Sequence, residues 1–372
     1  MIEKEFRYKP LIKWTGGKFR EYKFFEKFLP KNINTYYEPF FGGGGVFFHL
    51  LPEHSCINDL SSDLILFYKN INNEIFQKHC YYLNDDWDDI TEFSKNFSQK
   101  YFEKFREFTQ TETFDKENVK KHLKEILSYK QFNNNKLKND LFDFILDKTS
   151  RINGIFIKEK KIFTDKENME HIETSICHGF YYNIRESYNK MTLDKDNLYT
   201  PTYLSYWLFI REFCWGSMFR YNGEGLFNIP YGGIAYNKKC FKDKLDYIFS
   251  DEIINLFDKI KIYNEDFETF LNNFTFNEDD FIFLDPPYDS EFSEYDQNPF
   301  GKYDHKRLFN ALYKLKCKWF MVIKNTDFVY DLYNKDGVEI IAFDKNYTYN
   351  ARGRNNKKVE HLIIKNYKTE LC

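Results

Sequence analysis

The sequence predicts an α/β protein with a mostly parallel sheet that is interrupted by a helical insertion. Short apolar segments recur along the chain, and several are followed directly by an acid or by glycines, as where Phe281–Leu284 precedes Asp285. Such segments are typical of strands that are buried on both faces of a sheet. Between about 72 and 179 glycine almost disappears, and Lys, Glu, Asp and Phe fill helix-like stretches. We therefore expect the insertion to follow the second strand of the sheet.

Composition sets the broad class of the protein. The chain has 372 residues, of which 42% are hydrophobic and 30% charged, and its formal net charge is −3. These values are typical of a globular protein and exclude a largely disordered chain. Because there is no global positive field, any basic surface for a nucleic acid has to be local. The sequence has no signal-peptide segment, no apolar run of membrane-spanning length and no metal-binding spacing among its seven cysteines. We expect a cytoplasmic protein with reduced thiols and no metal.

The first candidate ligand segment is Lys13-Trp14-Thr15-Gly16-Gly17-Lys18. Paired glycines let the backbone approach a ligand closely. We expect a helix from Lys18 to about Phe28, whose first turn would meet an anion. Taken alone, the same segment also fits a glycine turn before a surface helix.

A glycine loop follows the first predicted strand. The segment 35–50 is typical of a strand, a loop with the pattern Phe40-x-Gly42-x-Gly44 and a helix, which is how nucleotide-binding α/β folds begin. The loop lacks the third glycine of a dinucleotide motif and the Gly-Lys-Ser/Thr of a P-loop. A flexible loop without a ligand remains an alternative. The second predicted strand ends at Asp59, which is placed to bind a ribose hydroxyl pair or to cap a helix over 61–70.

The inserted segment contains predicted helices near 96–110 and 119–132 and a predicted hairpin joining 151–156 to 161–163. A different composition follows at 214–232, where Trp215, Arg220, Asn222 and Asn228 lie among glycines. This pattern predicts a β-hairpin carrying an arginine and amides, the side-chain types that read guanine and adenine edges. An ordinary surface hairpin is the alternative.

A further strand that ends in an acid is predicted within 261–267, and others are predicted at 281–284, 319–323 and 359–364. A basic stretch at 351–358 precedes the last of them. Asp285-Pro286-Pro287-Tyr288 ends the strand at 281–284, because two prolines cannot continue a sheet ladder. The tetrapeptide offers a carboxylate, fixed backbone carbonyls and an aromatic ring. That set suits a planar ring bearing an amino group, although an ordinary proline turn after a strand has the same pattern.

Taken in this order, the motifs resemble those of the Dam-like (D12 class) family of adenine-N6 DNA methyltransferases. The matching motifs are Lys13-Trp14-x-Gly16-Gly17-Lys18, Glu38-Pro39-Phe40-x-Gly42-x-Gly44, Asp59, Arg220-Tyr221-Asn222-x-x-Gly225-x-Phe227-Asn228-x-Pro230-x-Gly232, Asp266-Phe267 and Asp285-Pro286-Pro287-Tyr288. The resemblance implies an α/β, Rossmann-like SAM-dependent methyltransferase sheet with an inserted, mainly helical target-recognition domain carrying a β-hairpin. The catalytic SAM-binding domain would be 1–72 with 240–372, and the target-recognition domain 73–239. The sequence departs from the family pattern at two points. The insertion is long, and Lys324 precedes Asn325 where the family often has a serine.

The resemblance also implies the site residues, with S-adenosyl-L-methionine (SAM) as the cofactor. The cofactor-binding residues would be Trp14, Lys18, Phe40, Gly42, Gly44, Asp59, Asp266, Phe267 and Asp285. The catalytic residues would be Asp285, Pro286, Pro287 and Tyr288. The DNA-binding residues would be Lys13, Trp215, Met218, Arg220, Asn222 and Pro230, with Arg352, Arg354, Lys357 and Lys358 as further phosphate contacts.

The implied reaction is methyl transfer from SAM to the exocyclic amino nitrogen of a flipped adenine in duplex DNA. The implied partner is double-stranded DNA, for a monomer in the cytoplasm of a bacterial or phage-infected cell. A cognate restriction endonuclease is a further partner if the enzyme belongs to a restriction–modification pair, and a solitary or phage methylase is the alternative. Two alternatives stay open at this point. One is a methyltransferase of the same fold acting on RNA or a protein amide, and the other is an inactive DNA-binding homologue.

Overall fold

The computed structural model describes residues 8–127, 135–194, 196–218, 220–287, 300–346 and 358–369. The chain divides into two compact units. Met1–Asn72 and Ile248–Cys372 form the first, which we call the sheet unit, and Asn73–Tyr247 form the second, which we call the helical unit.

The sheet unit has seven strands within its described residues. They are β1 (Tyr36–Glu38), β2 (Ser55–Asn58), β3 (Ile260–Tyr263), β4 (Phe281–Leu284), β5 (Lys318–Lys324), β6 (Glu339–Asn346) and β7 (Lys358–Lys365), in the spatial order β3-β2-β1-β4-β5-β7-β6. The pairings from β3 to β5 are parallel, whereas β7 is antiparallel to both β5 and β6. The prediction of a mostly parallel sheet is confirmed.

The strand order places a topological switch point beside β1. The chain leaves β1 to form β2 on one side, and β4 lies on the other side. Because β1 to β4 are parallel, their carboxyl ends meet at one edge, and in open α/β sheets ligands bind in the crevice there. The residues that follow these ends are Pro39, Asp59, Asn264 and Asp285. Residues from four separate motifs are therefore brought to one edge of the sheet.

Helices cover the sheet on both sides. They are α1 (Tyr22–Phe25), α2 (Phe47–Leu50), α3 (Ser62–Lys69), α10 (Asp251–Phe257), α11 (Phe267–Asn272), α12 (Lys302–Tyr313) and α13 (Asp327–Tyr333). The central strand β4 is wholly buried, and Ile282 and Leu284 pack with Trp319 and Met321 of β5 in one core. The predicted helix over 18–28 is wrong in its first turn, because α1 begins at Tyr22 and continues as a 3₁₀ turn over Glu26–Phe28.

The helical unit consists of α4 (Glu74–Thr109), α5 (Lys116–Leu127), α6 (Asn135–Glu159), α7 (Asp165–Leu193), α8 (Pro201–Phe213) and α9 (Phe241–Ile248). Asn73 caps the 36-residue α4 by accepting the N–H groups of Ile75 and Phe76. Thr164 and Glu167 form a reciprocal capping box at the start of α7. None of the described helices is both long enough and apolar enough to cross a membrane.

The predicted hairpin at 151–163 is wrong, because α6 continues through Glu159. Leu141, Ile145, Thr149 and Ile152 are buried at helical spacing on α6, which packs along α7. Burial of these four side chains outweighs the β propensity of the Ile- and Phe-rich sequence at 151–163.

Candidate active site

Three carboxyl groups gather at the carboxyl ends of the central strands. Glu38 is the last residue of β1, while Asp59 and Asp285 follow β2 and β4. Glu38 is buried, and the Tyr36 hydroxyl donates a 2.7 Å hydrogen bond to its Oε2. Burial, and then the nearby carboxylates of Asp285 and Asp59, raise the pKa of Glu38 well above its usual value. The three acids therefore share one electrostatic environment.

Lys18 and Asp285 form an ion pair in this environment. Lys18 Nζ lies 2.5 Å from Asp285 Oδ1 and donates a second hydrogen bond of 2.8 Å to the Gly16 carbonyl. The Lys18 side chain is 1% exposed and that of Asp285 is 19% exposed. The anion that Lys18 contacts is thus a carboxylate of the same chain. Asp285 is followed by Pro286, which is buried, and by Pro287, which is exposed.

The glycine loop packs against the amino-terminal segment. Gly42 and Gly44 have φ angles of 50° and 66°, a conformation that favours glycine. A Cβ at Gly42 would lie 2.7 Å from Cδ1 of the Trp14 indole, and one at Gly44 would lie 2.5 Å from Cζ of Phe41. A Cβ at Gly45 would meet the Phe19 backbone nitrogen at 2.7 Å. These close approaches explain why the loop consists of glycines.

Asp59 fixes the position of the same loop. Its Oδ2 accepts the Gly42 N–H at 2.8 Å, and its Oδ1 accepts the Ser61 N–H at 2.9 Å. The Tyr68 hydroxyl donates to the Gly42 carbonyl at 3.0 Å, so both the N–H and the carbonyl of Gly42 are held by side chains. The prediction that Asp59 caps the following helix is wrong, because Ser61 is the N-cap residue of α3.

Asn58 joins three strand ends and was missed by the sequence analysis. Its Nδ2 donates to the carbonyls of Pro39 and Glu265 at 3.0 and 2.9 Å, and its Oδ1 accepts the Glu265 N–H at 2.9 Å. The residue is 1% exposed. The available signal was an amide immediately before the strand-end acid Asp59, since a buried amide needs partners of this kind.

A second cluster lies beyond β3. Asp266 is the N-cap residue of α11 and accepts the Glu268 N–H at 3.0 Å. Arg307 of α12 donates to Asp266 Oδ1 at 2.6 Å and to Glu268 Oε2 at 2.8 Å, and its guanidinium lies 4.8 Å from the Phe267 ring centre. Phe267 is 4% exposed, and its ring lies 5.5 Å from that of the half-buried Phe40. Arg307 was not predicted from the sequence, because it belongs to no recognised motif.

The predicted DNA-reading segment lies in the helical unit. Antiparallel pairing within its described residues is limited to two isolated bridges, Cys214 with Tyr231 and Tyr221 with Phe227. The segment is therefore a hairpin-like loop, and its described part contains no regular strands. Asn222 Oδ1 accepts the N–H groups of Glu224 and Leu226, both at 3.0 Å, which closes the turn.

The other DNA-binding candidates differ in exposure. Trp215 is 39% exposed, Arg220, Asn222 and Pro230 are exposed, and Met218 is half-buried. Lys13 is exposed on the sheet unit. Tyr288, Arg352, Arg354 and Lys357 lie outside the described residues, as does the side chain of Lys358.

The chain was also compared with known proteins. The family model described as D12 class N6 adenine-specific DNA methyltransferase matches residues 14–144 and 126–349. The Type II methyltransferase M.CviBI of Paramecium bursaria Chlorella virus NC1A is 28% identical over 96% of this chain and 100% of its own length. The Type II methyltransferase M.MjaIII of Methanocaldococcus jannaschii is 24% identical over 96% of this chain and 99% of its own. A DNA adenine methylase of Haemophilus influenzae is 30% identical over 31% of this chain and 39% of its own.

Proposed function

This chain belongs to the D12 class of N6 adenine-specific DNA methyltransferases, and from that premise we propose its methyl donor, its mode of access to the base and the residues that act. Its activity is site-specific methylation of adenine in DNA. We propose that the donor is S-adenosyl-L-methionine and that the acceptor is the exocyclic amino nitrogen of an adenine flipped out of the duplex. Flipping costs a few kcal/mol in stacking and pairing, and without it the amino group stays out of reach.

The chemistry of the sheet edge fits S-adenosylmethionine, which supplies an electrophilic methyl group on a sulfonium when bound. The carboxylates of Asp59 and Asp285 lie where a cationic ligand is favoured, and their negative potential contributes to the raised pKa of Glu38. Gly42 and Gly44 keep side chains out of the loop that Trp14 covers. Both Asp59 oxygens accept backbone N–H groups, which fixes the carboxylate at the strand end where a ribose hydroxyl pair would bind.

Asp266 would bind the cofactor adenine, for which its carboxylate is a suitable acceptor of the amino group. Arg307 holds that carboxylate from the other side. With its ring 4% exposed, Phe267 would contribute through its main chain, and the stacking contact falls to Phe40. Lys18 would act through Asp285, whose position it fixes.

Asp285 and the Pro286 carbonyl would each accept one N–H of the target amino group, and Tyr288 would stack on the base. These hydrogen bonds draw the nitrogen lone pair out of conjugation with the ring. The carboxylate then stabilises the positive charge that develops on the nitrogen. The chain would thus contribute alignment and electrostatics, with no covalent enzyme intermediate.

The 214–232 segment would read the DNA sequence. Arg220 is the candidate for a bidentate contact with guanine, a contact that discriminates by about 1–3 kcal/mol. Met218 and Pro230 would contact a thymine methyl, and Trp215 would lie near the opened stack. Lys13 would contact a base near the target. Because Asn222 Oδ1 accepts two N–H groups of its own turn, only the Asn222 amide nitrogen is assigned to DNA.

The observation that carries the proposal is the Lys18–Asp285 ion pair at the carboxyl end of β4, beside the glycine loop. To test the proposal, the chain is expressed in a host that lacks adenine methylation, and host DNA is sequenced with modification-sensitive detection. Methyladenine within one recurring motif is the expected result, and the Asp285→Asn variant should leave the DNA unmodified. Unmodified DNA from cells that contain folded wild-type protein would refute the proposal.

The biological setting is a further part of the proposal. Two full-length relatives are named Type II methyltransferases. We infer that this enzyme acts as a monomer in the cytoplasm and protects DNA from a cognate restriction endonuclease. If so, extracts of the native host should cleave unmethylated DNA at the motif found above, and methylation by the purified enzyme should block that cleavage.

A further inference from the structure

We propose that the helical unit carries a second DNA contact, a face of α6 and α7 that binds the sugar–phosphate backbone. This face, here called the basic face, consists of Lys148, Arg151, His171, His178 and Arg185. The inference rests on the proposed function, and it gives the long insertion a role distinct from base reading and methyl transfer.

Helical spacing aligns the members of the basic face. Lys148 and Arg151 are three residues apart on α6, and His171, His178 and Arg185 recur at intervals of seven on α7, so each set lies along one side of its helix. The two helices approach closely, since a Cβ at Gly179 would lie 3.0 Å from the Leu141 Cα.

Aromatic rings form the floor beneath these charges. The Phe144 ring of α6 lies 4.2 Å from the His178 ring and 5.3 Å from the Tyr182 ring. The Arg185 guanidinium lies over Tyr182, at 4.9 Å from the ring centre. These packed rings hold the cationic side chains toward one side of the helix pair.

The cations of the basic face have few acidic partners in the described part of the chain. Neither Lys148 nor Arg151 forms an ion pair there, and Arg185 pairs at 3.3 Å with its neighbour Glu186. Both ring nitrogens of His171 and the Nε of Arg185 are buried without a hydrogen-bond partner among the described residues. Buried polar atoms of folded proteins normally have partners, so the hydrogen-bonding capacity of these groups is not used within the described residues.

The electrostatics of the face agree with this arrangement. Burial, and then the neighbouring Arg151, lower the pKa of Lys148. Burial, followed by Lys148, Arg185 and Arg151, lowers the pKa of His178 to about 4. Burial likewise lowers the pKa of His171 to about 4, so both histidines are neutral at neutral pH and the charge of the face is carried by Lys148, Arg151 and Arg185. These three like charges repel one another, and a bound phosphate would relieve the repulsion.

The basic face is continuous with the segment proposed to read the DNA sequence. The His178 ring lies 6.0 Å from the Tyr231 ring, and the Tyr181 hydroxyl donates to the Ile229 carbonyl at 2.9 Å. Pro230, which lies between Ile229 and Tyr231 in the sequence, is exposed. Because the adjoining segment is the one proposed to read DNA, the occupant that we assign to the basic face is the backbone of the same duplex.

The test compares two pairs of charge-removing substitutions in the full-length enzyme. Lys148→Gln/Arg151→Gln removes two cations of the basic face. Lys104→Gln/Lys120→Gln, the control, removes two cations that already pair with Glu107 and Glu117 at 2.5 and 2.7 Å. Fluorescence anisotropy gives the affinity for a duplex containing the methylated motif and for one without it, between 50 and 200 mM salt. Circular dichroism melting checks folding, and Lys148→Arg/Arg151→Lys keeps the charge.

Phosphate binding predicts that the basic-face variant binds both duplexes about 10-fold more weakly, and that its salt slope decreases by about 2. The control and the charge-keeping variant should bind like wild type. If the basic-face variant behaves like the control, or loses affinity only for the motif duplex, the inference is wrong although the proposed function stands. If wild type binds neither duplex, the proposed function itself fails.

Discussion

Lys18 Nζ lies 2.5 Å from Asp285 Oδ1, although the two residues are 267 positions apart in the sequence. The contact joins the amino-terminal motif to the end of β4, and both side chains are largely removed from solvent. Taking one member away from such a pair leaves an uncompensated charge in the site. Substitutions at these two residues can therefore separate a role in catalysis from a role in folding stability.

The first prediction concerns Asp285→Asn, which preserves shape but removes the charge and presents an N–H donor toward Lys18. On the proposed mechanism the rate of methyl transfer should fall by about 10²–10⁴-fold, because the negative charge that would stabilise the developing positive charge on the amino nitrogen is lost. Transfer of tritium from labelled donor to DNA measures the rate. Asp327→Asn, on an exposed acid in the first turn of α13, should leave it unchanged. A near-wild-type rate for Asp285→Asn would remove Asp285 from the mechanism.

The second prediction is that Lys18 and Asp285 act as a unit. Lys18→Met alone should also lower activity strongly, and the double variant should be little worse than either single one. Contacting charges typically show coupling energies of 0.5–3 kcal/mol in such cycles. The cycle is measured both by transfer rate and by denaturant unfolding. Additive effects in both would show that the contact has no energetic consequence.

Local sequence signals predicted most of the sheet. Apolar runs that end in an acid or in glycines mark β1, β2 and β4, and burial on both faces gives such strands their pattern. Strand β6 was not predicted, because Glu339–Asn346 lies at the sheet edge and its described side chains are not buried. The position of β7 between β5 and β6 depends on long-range strand pairing, which a local sequence pattern cannot predict.

The meeting of several motifs at one edge of the sheet was predictable from the sequence, but the contacts among their residues were not. Parallel strands bring their carboxyl ends together, so motifs that follow strands converge without further information. The Lys18–Asp285 pair, the Asn58 bridge and the Arg307 cluster each depend on distances between remote segments. At 151–163, the local β propensity predicted strands. The packing of α6 against α7 instead stabilises a helix through Glu159.

The third prediction concerns Gly42→Ala. The added methyl would lie 2.7 Å from the Trp14 indole at a residue with φ of 50°, so the loop or the indole has to move. We expect a loss of about 1–3 kcal/mol in stability and weaker donor binding, measured by thermal melting and calorimetry. Gly16→Ala separates the two causes, because Gly16 has φ of 81° but nothing within 4 Å of its Cβ position. Equal effects of the two substitutions would show that backbone strain alone is responsible.

The fourth prediction concerns Arg307→Met. Loss of the guanidinium frees Asp266 and Glu268 and uncovers one face of Phe267. On the proposed function these partly exposed contacts position the donor and do not touch the acceptor base, so the KM for the donor should rise about 10-fold with little change in kcat. Arg307→Lys should recover part of the effect, and Lys306→Met, on the exposed side of α12, should have none. A fall in kcat at unchanged KM would assign Arg307 another role.

The fifth prediction follows from the raised pKa of Glu38, whose causes are burial first and then the carboxylates of Asp285 and Asp59. Because the folded state favours the protonated acid, its contribution to stability is complete below the ordinary pKa of about 4.5 and is lost as the pH rises through the folded-state value. Glu38→Gln keeps an acceptor for the Tyr36 hydroxyl and has no proton to lose. The free energy of unfolding of the variant should therefore exceed that of wild type at pH 8 by about 1–3 kcal/mol, and the difference should shrink toward pH 5.

Urea unfolding at several pH values measures this difference, with the exposed Glu53→Gln as control. Adding Asp285→Asn to both proteins should reduce the difference, because a neighbouring carboxylate that raises the pKa of Glu38 is then neutral. Parallel stability curves for wild type and Glu38→Gln would mean that Glu38 has the same proton affinity in the folded and unfolded states. Glu38 would then be ionised at neutral pH, and its pKa would no longer support a negative potential from Asp59 and Asp285 at the sheet edge.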